Sequence, residues 1–193
     1  MKKITIAMFV AFTLFTCFSN VLKAQIYLKA TGPGNTAILG ESTAVGFSNQ
    51  IDVSAYSQGI AGCPVITGGG SGACKTSVGT FTFMMRINRS IIPLKALALS
   101  GNVLPNVEVS FVATGGDGTP YTYYKIKMED VIISSMQESG EAPEFPTFSV
   151  ELRVKRIAWG YRRQNRDGSL EPFSVTGWDV SSNQPWVVNA TTF

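Results

Sequence analysis

Two thiols, Cys63 and Cys74, bracket a glycine-rich run in the stretch GCPVITGGGSGACKT (residues 62–76). Metal binding, phosphate binding, thiol redox work and a structural disulfide could each use such a stretch. A zinc site takes four ligands, mostly Cys and His. The chain contains no histidine, so two thiols alone supply half a site. A redox pair usually keeps two residues between its cysteines, whereas ten intervene here. A phosphate loop needs Gly directly before its Lys and must open a helix. Here Cys74 precedes Lys75-Thr76, and the following residues 78–87 (VGTFTFMMRI) alternate as a strand does. The reading is a disulfide between Cys63 and Cys74, stapling a loop with a flexible glycine tip. In the chain-entropy account a loop of this size is stabilised by about 3 kcal/mol.

Acid–base chemistry finds little to work with. Without histidine, a general base must be a carboxylate or a lysine. Glu129-Asp130 is a paired acid, but strand neighbours face opposite sides of a sheet. Glu138, Glu141 and Glu144 fall in a Pro- and Gly-bearing loop, residues 137–146 (QESGEAPEFP), which reads as solvated surface. No GxSxG nucleophile turn is present. Trp159, Tyr161, Trp178 and Trp186 are candidates for a sugar-stacking platform, or for core packing with a half-buried belt, the reading preferred here. Arg153, Lys155, Arg156, Arg162, Arg163 and Arg166 gather in one segment and suit the acids of a neighbouring subunit. The expectation is a protein that is not an enzyme, with no metal and no cofactor.

The compartment follows from the N-terminus. Lys2 and Lys3 precede an apolar run over residues 4–15, and Leu22-Lys23-Ala24 places a small residue before Gln25. This is the charge, core and cut order of a signal peptide, and the run is shorter than the roughly 20 residues of a membrane span. Residues 1–24 are read as that peptide and 25–193 as one mature domain. Leu14-Phe15-Thr16-Cys17 offers the alternative of a lipoprotein anchored at Cys17. Three of the sixteen basic residues precede Gln25 and none of the thirteen acids does, so the chain's +3 becomes zero after cleavage. The basic balance belongs to the targeting segment and gives no footprint for nucleic acid. A neutral surface favours association. No stable membrane insertion is expected once the peptide is gone.

The elements that must position these groups are mostly strands. Residues 26–30, 48–57, 78–87, 107–113, 121–135, 147–162 and 173–180 carry the β-branched, aromatic or alternating pattern. Gly115-Gly116-Asp117-Gly118 turns one pair into a hairpin. Residues 91–99 form the one convincing helix outside the targeting segment, with Asn88-Arg89-Ser90 as its cap, Pro93 in its first turn and Gly101 as its stop. The tail from Ser181 shows no pattern. These seven or so strands and one short flanking helix make the fold class mainly β, an antiparallel barrel or sandwich.

The order of these segments resembles the Hcp (haemolysin-coregulated protein) family, which builds the inner tube of bacterial type VI secretion systems. The strand Ile51-Asp52-Val53-Ser54-Ala55-Tyr56-Ser57-Gln58-Gly59 is similar to the family's "ID-V-A-S-G" strand. The join over residues 83–99, with Ser90 and Pro93, resembles the entry into its single helix. Residues 124–136 (YKIKMEDVIISSM) are similar to its "Y-I-L-V-VSS" strand, and Gly177-Trp178-Asp179-Val180 to its "GW-I" end.

The resemblance implies a closed six-stranded barrel assembling into homohexameric rings that stack, with secretion components or effectors as further partners. It implies no catalysis in the core domain. It makes residues 59–75 the ring-stacking loop, with Gly68, Gly69, Gly70, Gly72 and Lys75 at its centre and the disulfide stiffening it. The lateral interface is then expected between Arg153 and Arg163 of one subunit and Glu141 and Glu144 of the next. A targeting segment departs from the family's cytoplasmic habit and points to an exported relative, in the periplasm of a Gram-negative cell or outside it. The alternative function is a monomeric secreted β-domain that binds glycan or protein through exposed aromatics.

Overall fold

The alternating residues Phe81, Phe83 and Met85 turn one face of a strand into an apolar stripe, and the core packs against it. The structure, a computed structural model, describes residues 24–62, 76–116 and 118–193. The stripe lies on β5 (Ser77–Arg86), where all three side chains are fully buried. Its neighbours are β4 (Ala55–Ala61) on one side and β8 (Thr147–Tyr161) on the other. From β8 the antiparallel ladder continues through β7 (Pro120–Ser139) and β6 (Leu104–Thr114) to β1 (Gln25–Thr31). Buried Val107, Val109, Ile126, Met128, Phe148, Val150 and Leu152 point into the common core.

The sheet does not close into the continuous barrel that the resemblance implies. Instead β3 (Ile51–Val53) pairs with β1, and one residue later β4 pairs with β5. Ser54 is the joint, its N–H donating to Met84 O at 2.7 Å. The extended segment 51–61 thus gives its first half to β1 and its second half to β5. Taking β3 and β4 as that one segment, the six strands that the resemblance implies are β1, β3 with β4, β5, β6, β7 and β8. Two short strands carry too few residues to show a period, β2 (Ala37–Ile38) and β10 (Gln184–Pro185). Strand β9 (Ser174–Asp179) shares an edge of β8 with β5: β5 takes Thr147 to Leu152 and β9 takes Arg156 to Tyr161.

Helix α1 (Ile91–Ser100) packs against β7. Its cap is Asn88, whose Oδ1 accepts the Ser90 N–H at 2.9 Å. Ser90 itself is already helical, and its buried hydroxyl meets no hydrogen-bond partner, which narrows the expected cap to one residue. Gly101 ends the helix at φ +66°, a conformation glycine adopts without penalty. Ile91 and Leu94 turn inward. The void left among Leu28, Phe83, Leu94, Leu104, Val150 and Leu152 is about 10 Å³, no more than a single water could occupy. The barrel interior is a packed core.

One irregularity sets up the outer surface. On β7 the buried positions run Ile126, Met128 and then Val131, Ile133, so the inward phase slips by one residue. Asp130 lies at the slip with φ +52° and takes no place in either ladder. Asp tolerates this left-handed region through its short polar side chain. At the same level β8 slips between Val154 and Ile157, the partners of Val131 and Met128. Two successive residues therefore face outward on each strand.

Candidate assembly surfaces

That double slip corrects the strand-alternation expectation for the paired acids. Glu129 and Asp130 share the outer surface with Lys155 and Arg156. Arg156 Nη2 lies 2.9 Å from Glu129 and 3.9 Å from Asp130, and Lys155 Nζ lies 3.2 Å from Asp130. Glu108 on β6 meets Lys125 at 3.0 Å and Lys127 at 3.8 Å. Burial lowers the Lys127 pKa, and Glu108 opposes that shift. These carboxylates are neutralised by their own chain, and they are partly exposed, so each pair contributes little to stability.

The tail expected to lack a pattern packs back over this charged face. Arg156 lies 5.5 Å from the Trp186 ring and Lys127 4.9 Å from the Phe193 ring. The Trp186 N–H donates to Gly177 O at 3.0 Å. Two strand glycines make room for the strap. A Cβ on Gly177 would stand 2.5 Å from Trp186 O, and one on Gly160 would strike the Phe193 ring. Glycine inside a strand often marks such close approach, and that was the legible signal for these two sites.

The barrel presents two chemically distinct ends. At one end, the turn from β7 to β8 carries Glu138, Glu141, Glu144 and Phe145. Glu138 pairs with Lys95 of α1; Glu141 and Glu144 are exposed, and Phe145 is 78% exposed. Sequence reasoning passed over Phe145 because a lone aromatic in a polar loop has no periodicity. At the other end stand Tyr161, 54% exposed, and the turn that follows it. Arg162 Nε donates to Thr122 O at 2.7 Å, and its guanidinium lies 4.5 Å from the Phe173 ring. Arg163 Nη2 donates to Glu171 Oε1 at 2.6 Å. Asp167 accepts from the Ser169 N–H and hydroxyl at 3.0 and 2.7 Å, so its carboxyl sits below the usual range. Gly168, at φ +86°, completes the turn.

The expected basic cluster therefore divides. Lys155, Arg156 and Arg163 each pair with an acid of the same chain. Arg153 is exposed on the outer face of β8 opposite Ile132, and Arg166 is exposed in the turn. The four candidate platform aromatics do not share a surface. Trp159 and Trp178 pack against the core, Trp186 belongs to the strap, and Tyr161 stands at the barrel end. Cys63, Cys74, Gly68, Gly69, Gly70, Gly72 and Lys75, and the targeting residues 1–23, lie outside the described residues. Among the described residues no three potential metal ligands come together, and no helix is long and apolar enough to cross a membrane.

A family profile described as "Type VI secretion system effector, Hcp" matches residues 27–161, from the first strand to the end of the eighth. Among solved structures, a type six secretion system protein is similar with a TM-score of 0.74 at 21% identity, covering 85% of this chain and 100% of its own. A mutant form of Hcp1 from E. coli EAEC 042 gives 0.65 at 19% identity, over 81% and 98%. Hcp1 from Salmonella typhimurium gives 0.63 at 22%, over 84% and 99%. At such identities the structural likeness is one of fold. No curated protein matches the chain.

Proposed function

We propose, from the premise that this chain belongs to the Hcp family of type VI secretion tube proteins, that it works by assembly alone, as a subunit of homohexameric rings. The observation that carries this reading is the extent of the family match, which takes in the whole barrel from β1 through β8. The work of such a subunit is done by its surfaces, and no step of bond chemistry is required of it. A closed ring repeats one heterologous contact by rotation. Arg153 and Arg163 on one subunit, facing Glu141 and Glu144 on the next, are the proposed lateral pairs. Arg163 would then share its guanidinium between Glu171 and the neighbour.

Residues 25–193 form the mature domain after export, acting in the periplasm or outside the cell. The glycine-rich stretch, stapled by a Cys63–Cys74 disulfide, is the ring-stacking loop. Secretion components or effectors are the partners proposed beyond the ring itself. Light scattering on the mature protein tests the reading, with a mass of six subunits expected and rings visible by negative-stain microscopy. A strictly monomeric mass at high concentration, in both low and physiological salt, overturns it. N-terminal sequencing of the exported protein should begin at Gln25, and an unreduced digest should contain the Cys63–Cys74 linked peptides. A lipidated start at Cys17, or freely alkylated thiols, would remove those parts alone.

A further inference from the structure

We propose that the turn between β7 and β8 is an aromatic knob with an acidic rim, and that Phe145 anchors it on the tyrosine- and arginine-bearing opposite end of a second copy of this chain. The proposal rests on the ring reading and narrows its basic partners to the turn that carries Arg163 and Arg166, leaving out Arg153 in mid-strand. Phe145 is the most exposed aromatic side chain among the described residues, at 78%. The loop that carries it is braced. Glu144 N–H donates to Glu141 O at 3.0 Å, and Ile87 N–H donates to Pro146 O at 3.0 Å. A Cβ on Gly140 would stand 2.8 Å from Pro146, so the loop closes tightly on itself at its base. A held loop loses little conformational freedom on docking, which favours association. Residues 140–146 carry Glu141 and Glu144 and no basic residue, while Glu138 at the end of β7 is already paired with Lys95.

The receiving end carries Arg162, Arg163 and Arg166 against Asp167 and Glu171, a net positive balance. Tyr161 stands half exposed opposite Tyr124 in the β7–β8 ladder, and the Arg162 N–H donates to Tyr123 O at 2.9 Å, which brings Tyr123 and the turn together. Tyr and Arg are the residues most enriched at the energetic centres of interfaces. Arg166 is exposed and pairs with no acid among the described residues, so it is available to a carboxylate such as Glu144. The knob and this end lie at opposite ends of β8, whose 15 residues run roughly 50 Å along the strand. No subunit can therefore satisfy its own knob. A contact between opposite ends of identical chains is heterologous, the kind that closes into a ring when the rotation allows. Opposite charge at the rim fixes orientation and speeds encounter.

The test places the photo-reactive residue benzoylphenylalanine at position 145 of the mature protein and mixes isotope-labelled with unlabelled subunits. Cross-links joining labelled to unlabelled chains, and mapping to residues 121–123 or 161–166, are expected. Cross-links confined to one chain, or mapping elsewhere such as to α1, overturn the proposal. In parallel, Phe145→Ala should raise the concentration for half-assembly at least tenfold while leaving thermal unfolding unchanged. Arg166→Glu should weaken assembly similarly, and Glu144→Arg added to it should restore at least part of the loss. If the wild-type ring forms and Phe145→Ala leaves it untouched, this surface is wrong and the ring reading stands. If the wild type is monomeric throughout, both fall.

Discussion

Replacing Gly177 with alanine probes whether the strap over β8 and β9 is an integral part of the fold. The new Cβ would stand 2.5 Å from the backbone oxygen of Trp186 and 2.7 Å from Val188 Cγ2. The first of these is backbone and cannot swing away as a side chain would, so the strap must retreat. That breaks the 3.0 Å Trp186 N–H to Gly177 O hydrogen bond, a net loss of about 1 kcal/mol. It also draws the Trp186 ring away from Arg156, for about another 0.5–1 kcal/mol. The total of about 2 kcal/mol lies within the range for overpacking. For a domain of this size it corresponds to a fall in Tm of about 4–8 °C. Gly160→Ala should cost less, because the atoms nearest its Cβ belong to the movable Phe193 and Phe173 rings. Gly116→Ala should be nearly neutral, since nothing lies within 4 Å of its added Cβ. Thermal unfolding by circular dichroism, with hydrogen exchange over residues 184–193, would read the order. Equal stability of Gly177→Ala and Gly116→Ala, with unchanged exchange in the tail, would refute the packing argument.

Three further outcomes are expected. Leu94→Ala should cost about 2–5 kcal/mol, because Leu94 is buried in the core, whose neighbouring void is only about 10 Å³; urea unfolding measures it, and a loss below about 1 kcal/mol would show that α1 packs only loosely. Burial, aided by Tyr56, pushes the Tyr124 hydroxyl up to about 12, so the fold should lose stability as pH rises from about 10 toward 12, where the unfolded chain ionises first. Tyr124→Phe should flatten that alkaline limb in denaturation curves collected across the range. The Ser181 hydroxyl at 2.6 Å and the Ser182 N–H at 2.9 Å hold the Asp179 carboxylate at about 2. Its contribution is therefore present above pH 4 and lost as pH falls toward 2, and Asp179→Asn should lower stability at neutral pH and remove that acid dependence.

The sequence by itself determined the strands, because burial on one face imposes a period of two that survives in the order of residues. Phe81, Phe83 and Met85 declared β5, and the glycine turn between residues 113 and 120 declared the β6–β7 hairpin. Helix α1 was legible for the same reason, from its apolar run, its cap region and its glycine stop. Those patterns in order were enough to place the chain beside the Hcp family. Tertiary structure alone decided what the periods do not encode. The phase slip at Asp130 depends on one positive φ and on a matching slip across the ladder in β8, and no local pattern announces both. That slip brought Glu129 and Asp130 onto one face and spent Lys155 and Arg156 on them. The strap is fixed by two clearances, at Gly160 and Gly177, that exist only once distant segments meet. Whether a charge is free or already paired is likewise a property of three-dimensional neighbours, which is why Arg163 and Arg166, three residues apart, face different tasks.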